Sequence, residues 1–422
     1  MQADWQGFYG PAYRRLLTQQ SLSGLDKLAW EEVVHLQERN PVGEGHWEFL
    51  AVGYLHLCDQ DIQLPPRVAG RLTVLSARFQ KRPKTCNWRL MAQVIKARLA
   101  NRLIRQSDLA ACGLVPTKAG FLPDELNDCS SQYHAYMLAL IMRFGDPCDD
   151  ALRAIVVRAS QWLLGVYQQH GDPSPLGRGR FQVFGYAAMA AVADLAGQWN
   201  VLIDRQWLSA VWSRCNPEPP AGSMSAVWTG PFREHLLHGY NTTDDYPAFA
   251  ALWMSGLKPP DPVPSDSAQA AHSLWWHHTD DVGSGILASS TGPIAALQRE
   301  PNRKSYAGLR NLAKTLLTRF GKPQSLECEP VRLESSEIVR CGGFMLSRRE
   351  DRFVLRSDPE LLRSLLITDF VTLWLPKQAP QPSFSGSCEL EHMTWQRAGT
   401  PIWHGLKTRI VRHGHSQVEW MP

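Results

Sequence analysis

Residues 133–170 read YHAYMLALIMRFGDPCDDALRAIVVRASQWLLGVYQQH. Two apolar runs stand on either side of GDPCDD, each repeating at three- and four-residue intervals. That spacing marks one face of an α-helix, and a cluster of Gly, Pro and Asp ends one helix and lets another begin. The stretch therefore predicts a helical hairpin. The same texture recurs outward in both directions. LDKLAWEEVVHLQER (25–39), HWEFLAVGYLHLC (46–58), RVAGRLTVLSARFQ (67–80), WRLMAQVIKARLANRLI (88–104), FGYAAMAAVADLAG (184–197) and YAGLRNLAKTLLTRFG (306–321) all carry it. NPVGEG, GDPSPLGRG, NPEPPAG and KPPDPVPSD punctuate the runs. Helices recur without a repeated sequence motif. The pattern predicts an (α/α) toroid of helical hairpins rather than a solenoid.

After about residue 325 the texture changes. PVRLESSEIVRCGGFMLSRREDRFVLRS (330–357) alternates apolar and polar residues, with turn signals at CGG and RRED. FVTLWLP (370–376) and HGLKTRIVRHGHSQVEW (404–420) do the same. Period-two alternation is the mark of antiparallel strands with one face buried. The expected architecture is mainly α, with a toroid over 1–322 and a smaller antiparallel β domain over 323–422.

A chain of 422 residues is long enough for two cores. It is 44% hydrophobic and 20% charged, ordinary for a folded protein, and its net charge of +4 comes without a dense Lys/Arg run. Nucleic acid is therefore not the expected partner. No run of about 18 uncharged apolar residues predicts a membrane span. The start, MQADWQGFYGPAYRRLL, lacks the apolar core of a signal peptide, so a cytoplasmic location is expected. The nine cysteines are scattered, odd in number and without a CxxC pair, which predicts free thiols and disfavours zinc. Oligomeric state is not readable. The 16 Trp are either bulky core side chains or flat faces on which sugar rings stack.

Five polar clusters sit where helices are expected to begin or end. FLPDELNDCSSQYHAYML (121–138) gathers Asp124, Glu125, Asp128, Gln132, Tyr133, His134 and Tyr136, and Ser130 or Ser131 is placed to cap the following helix. KTCNWRL (84–90) sets Asn87 and Trp88 before another helix, where Asn87 is a candidate cap. GDPSPLGRGRFQVFGYAAMAA (171–191) puts Arg178 and Arg180 among glycines. It lacks the phosphate-loop spacing, but two guanidinium groups suit a carboxylate. HGYNTTDDYPAFAALW (238–253) carries Tyr240, Asp244, Asp245 and Tyr246, and SLWWHHTDDVGSG (273–285) carries Trp276 and His277. Each cluster has an ordinary structural role open to it as well. Acids favour a helix N-terminus, tyrosines pack in cores, loop arginines are solvated, and two adjacent histidines make no metal site without a third ligand. In a toroid, however, alternate loops meet at one mouth, where such clusters converge on a single cleft.

Taken in order, NW (87–88), PDE and YHAY (123–136), GRGRFQVFGYAA (177–188) and YNTTDDYPAFAALW (240–253) resemble a bacterial domain family of unknown function. That family is similar to the toroid polysaccharide lyases of the heparinase II/III and oligo-alginate lyase type, and some relatives are thought to be exo-acting glucuronidases. The likeness spans roughly residues 20–320. It implies a toroid with a downstream β domain, and a site of Asn87 with Tyr133 and His134. Trp88 stands where the lyases have a His, which leaves the group that neutralises the substrate carboxylate open. Asp244, Asp245, Tyr246 and Pro247 replace the family's Ser-Pro-Tyr-Trp run.

Two chemistries suit such a site. β-Elimination beside a uronic acid needs the carboxylate neutralised by Asn87 with Arg178 or Arg180. It also needs a base and an acid, for which Tyr133, His134 and Tyr240 are candidates. Hydrolysis needs two carboxyl groups, one from the 124–128 stretch and one from Asp244 or Asp245. In both, the partner is an acidic oligosaccharide, held by Trp88, Asp124, Gln132, Tyr136, Arg178, Arg180, Tyr246, Trp276 and His277. No metal or other cofactor is expected. A non-catalytic sugar-binding protein is the third possibility.

Overall fold

A computed structural model describes residues 47–57, 66–79, 85–124, 130–170, 179, 182–215, 245–258 and 260, together with strands between 274 and 420. Its helices are α1 (Trp47–Leu57), α2 (Pro66–Phe79), α3 (Cys86–Leu99), α4 (Gln106–Ala111), α5 (Ser131–Phe144), α6 (Asp150–His170), α7 (Val183–Leu195, continued by a 3-10 turn over Ala196–Trp199), α8 (Arg205–Cys215) and α9 (Asp245–Met254). The expected helices at 25–39 and 306–321 lie outside the described residues. α8 is an addition: RQWLSAVWSRC is short and was not singled out by its pattern.

The odd-numbered helices form a circuit of contacts. α1 packs on α3, α3 on α5, α5 on α7, α7 on α9, and α9 returns to α1. The even-numbered helices lie against single members or adjacent pairs: α2 on α1 and α3, α4 on α3, α6 on α5, α8 on α7. Composition explains the division. WEFLAVGYLHL, VFGYAAMAAVADL and DYPAFAALWM are apolar nearly all round, and such a helix must be surrounded. Glu48 through His56 are all buried, as is every residue of α5 except Tyr133 and Arg143. α6 and α8 alternate buried with exposed positions, as one-sided helices do.

The five odd-numbered helices run in the same direction. At one end their first turns meet: Phe49 packs edge-on to Trp88 at 5.6 Å, Tyr133 edge-on to Phe184 at 5.4 Å, and Phe184 stacks on Tyr246 at 5.0 Å. At the other end the last turns of α1, α5 and α9 meet, where an Arg143 Nη donates to the His56 carbonyl at 3.1 Å and the His56 ring stacks on Trp253 at 4.6 Å.

α5 and α7 approach closely because Gly185 has no side chain. A Cβ there would lie 2.3 Å from Cγ of Gln132, which is itself fully buried and has nowhere to move. Gly185→Ala is therefore expected to destabilise the protein by about 2 kcal/mol despite the better helix propensity of Ala. Denaturant unfolding measures this, and a variant at least as stable as the wild type would contradict the close approach.

The β part begins earlier than residue 323. β1 (Leu274–His278), β2 (Gly285–Ser289) and β3 (Gly292–Glu300) precede β4 (Val331–Arg332), β5 (Ile338–Cys341), β6 (Phe344–Arg349), β7 (Arg352–Ser357), β8 (Phe370–Pro376), β9 (Ser383–Ser385), β10 (Cys388–Arg397), β11 (Thr400–Ile410) and β12 (Gln417–Trp420). β1 pairs with β4 and β3 with β8, so these early strands belong to the same sheet as the late ones. One sheet runs β10-β11-β8-β3-β2-β1-β4 and the other β5-β6-β7-β12-β9, each with antiparallel neighbours. The turn signals at CGG and RRED fall between β5, β6 and β7. The LWWHH stretch is strand rather than a helix boundary, because bulky Trp and Leu fit a pleated surface as well as a helix. Among the described residues, no helix is long and apolar enough to cross a membrane.

Candidate functional site

At the end where the first turns meet, the start of α3 is held from a distant part of the chain. The Asp124 carboxylate accepts from the Asn87 backbone N–H at 2.8 Å, and the Asp124 carbonyl accepts from Cys86 N–H at 2.9 Å. Asp124 thus satisfies two of the helix's unpaired donors, the work a local capping residue usually does. The residue in the local cap position is Thr85, whose hydroxyl donates to the Asn87 side-chain oxygen instead. Asn87 is accordingly a buried first-turn residue and not the cap. Ser130 is the cap of α5, its Oγ accepting from Tyr133 N–H at 3.1 Å.

These caps bring Asp124, Tyr133 and Tyr136 together. Tyr136 is fully buried, with its hydroxyl 3.0 Å from Met91 Sδ. Burial pushes its pKa well above the ordinary value near 10, and the neighbouring Tyr133 and Asp124 push it the same way. Tyr133, half-buried, continues into an aromatic row with Phe184 and Tyr246. Gly179 lies over this row with φ +75, a conformation that favours glycine, and a Cβ on it would meet Phe184 at 3.3 Å and Tyr133 at 3.4 Å. The glycine-arginine loop therefore reaches the site through Gly179. Arg178 and Arg180, its chain neighbours, lie outside the described residues.

Two more carboxyl groups share this end. Asp245 opens α9 and is only 2% exposed, where the helix N-terminus favours its charge. Glu48, in the first turn of α1, belongs to no motif noted above. It is 5% exposed, and burial raises its pKa from 4.5 to about 7. The only hint of it in the sequence is an acid set inside an otherwise apolar helix, WEFLAVGYLHL.

Three assignments need correction. His134 is fully buried. Its Nδ1 accepts from Leu122 N–H at 3.0 Å and its Nε2 lies 3.0 Å from the Ala159 carbonyl, while Phe121 and Trp162 pack on the ring. Burial lowers its pKa to about 3. Both ring nitrogens are committed to backbone, so His134 ties α5 to α6 and to the Leu122 strand of chain rather than serving a substrate. Tyr136 has no path to a ligand, because its ring is walled by Phe49, Phe249 and Trp253. Gln132 spends its side chain against Gly185. Adjacent helix positions point about 100° apart, so Tyr133 and His134 are sent to different places.

Trp88 is half-buried against Phe49. Tyr240, Asp244, Arg178 and Arg180 lie outside the described residues, and Trp276 and His277 lie on β1. The gathered set is thus Asn87, Trp88, Asp124, Tyr133, Asp245 and Tyr246, with Glu48, Phe184 and Gly179 added. Among the described residues, no three His, Cys, Asp or Glu side chains are grouped to hold a metal. Set against known proteins, the sequence matches no family model and no curated sequence.

Proposed function

We propose that the chain is a carbohydrate-active enzyme that cleaves the glycosidic bond beside a uronic acid, in a cleft at the N-terminal mouth of an (α/α) toroid. The observation that carries this reading is the meeting of parallel helix N-termini with Asp124, Tyr133, Asp245 and Tyr246 at one end. Converging helix N-termini favour an anionic ligand, and the half-buried ring of Tyr246 offers an aromatic face to a sugar ring. Arg178 and Arg180 would take the uronate in paired hydrogen bonds. The circuit of odd-numbered helices supports the toroid.

Hydrolysis fits this set better than elimination. It needs one carboxyl that carries a proton near neutral pH and one that does not. Glu48, with its pKa raised to about 7, suits the first role as general acid to the leaving oxygen. Asp124 or Asp245, each at a helix start, suits the second, either activating water or attacking the anomeric carbon. Elimination remains the second reading because Tyr133 is a partly exposed phenol at the same mouth. There it would remove the C5 proton and return one to the leaving oxygen. His134 is not free to help, because both of its ring nitrogens are committed to backbone.

A panel of uronic-acid oligosaccharides separates these outcomes. New reducing ends without ultraviolet absorbance are expected and indicate hydrolysis. Absorbance from a C4–C5 double bond would indicate elimination. Binding without cleavage would make the protein a sugar-binding module, and neither binding nor cleavage would end the proposal.

A further inference from the structure

The opposite end of the helical circuit holds a cavity of about 110 Å³, lined in part by His56, Arg143, Asp194, Trp253 and Ser255. At roughly 30 Å³ per water, it has room for three or four waters or one molecule of about six non-hydrogen atoms. Two buried polar atoms at its wall meet no partner: Nδ1 of His56 and Nε1 of Trp253. Their residues are 8% and 0% exposed. Orphaned buried polar atoms are uncommon and costly, and here both belong to side chains that border the same space.

Their chemistry is complementary. The His56 ring is hydrogen-bonded to the Leu252 carbonyl, and burial together with the Arg143 charge keeps the ring neutral. The nitrogen bonded to that carbonyl carries the proton, so Nδ1 is a bare acceptor. Trp253 Nε1 is a pure donor. Arg143 adds positive charge, and Asp194, exposed on the rim, adds a negative charge. No ion pair joins Asp194 to Arg143. The cavity lining thus carries a donor and a cation together with an acceptor and an anion.

We propose that this cavity is a second ligand site, for a small molecule whose carboxylate and amine or hydroxyl sit on neighbouring atoms, as in a small α-amino or α-hydroxy acid. The carboxylate meets Arg143 and the Trp253 N–H. The amine or hydroxyl donates to His56 Nδ1, with Asp194 favouring the amine. A monosaccharide is too large for the space, so this site is separate from the proposed cleft.

Calorimetric titration of the full chain tests it, using glycine, alanine, glycolate and lactate, with acetate and methylamine as single-group controls. At least one two-group ligand is expected to bind saturably, one per chain, at least tenfold more tightly than either control. Trp253→Phe, which keeps an aromatic ring and removes the donor, is expected to weaken that ligand about tenfold. Asp194→Lys alters only an exposed side chain, so it reads the site even if the Phe variant fails to fold. It is expected to weaken an amino acid, or tighten a hydroxy acid, at least fivefold. No saturable binding, controls that bind equally well, or an affinity unmoved by Asp194→Lys would each overturn the proposal.

Discussion

Replacing Asp124 by Asn is expected to lower the turnover of a cleavable acidic oligosaccharide by about 10²–10⁴-fold while leaving the fold in place, the range typical for loss of one acid–base group. Asn has the same shape as Asp. Its side-chain oxygen still accepts from the Asn87 N–H, and the residue's own carbonyl still accepts from Cys86. Only the negative charge is removed. A residue whose whole task was to cap α3 would tolerate this change, so the Asn variant separates capping from chemistry. The loss should fall on kcat with KM little changed, because the charge is needed most when the glycosidic bond is breaking. Asp124→Ala makes the contrast. It leaves the Asn87 N–H buried without its acceptor and should cost a further 1–2 kcal/mol or so of stability. Full activity in the Asn variant would reduce Asp124 to a structural role and leave Asp245 to carry the charge.

The fold was legible where composition forces an answer. Helices apolar all round must be surrounded, and α1, α5, α7 and α9 declare this in their sequences. The start of the β part was not legible. LWWHH and PIAALQRE are short apolar-to-mixed runs that suit helix and strand alike, and their pairing partners lie up to 78 residues further on. The site divides in the same way. Tyr133 could be placed from its distance to a capping serine. His134, one position further, could not be assigned without knowing that Leu122 and Ala159 would close on its ring. Glu48 was hidden because nothing local distinguishes a buried acid from a solvated one at a helix start.

Acidification should unfold the protein in two stages, and the groups responsible can be named. His56 and His134 have pKa values lowered to about 3 by burial, against an unfolded value near 6.5. Folding holds them neutral, so as pH falls below 6.5 the unfolded chain binds protons the folded one refuses. Stability then drops until the folded pKa is reached. Glu48 acts in the opposite sense. Its folded pKa of about 7 lies above the unfolded 4.5, so the folded form binds a proton first and gains stability as pH falls from 7 to 4.5. Between pH 6.5 and 4.5 the two histidines together cost on the order of 5 kcal/mol while Glu48 returns on the order of 3 kcal/mol, and the net decline is gentle. Below pH 4.5 the opposing carboxyl is spent and both histidines act unopposed. The two histidines then contribute a slope of about two protons per unfolding event, Asp108, held below its ordinary value by Arg102, adds to it as pH falls further, and a total stability of about 5–15 kcal/mol is soon exhausted. Denaturant unfolding measured from pH 7 to 3 should show this break near pH 4.5. In His134→Gln, whose amide can still accept and donate but does not titrate, the lower slope should fall by about one proton. In Glu48→Gln the gentle stage should steepen instead, since the counterweight is gone. An unchanged slope in the His134 variant would mean that its ring is not held neutral in the core, and the reassignment of that histidine from chemistry to packing would have to be withdrawn.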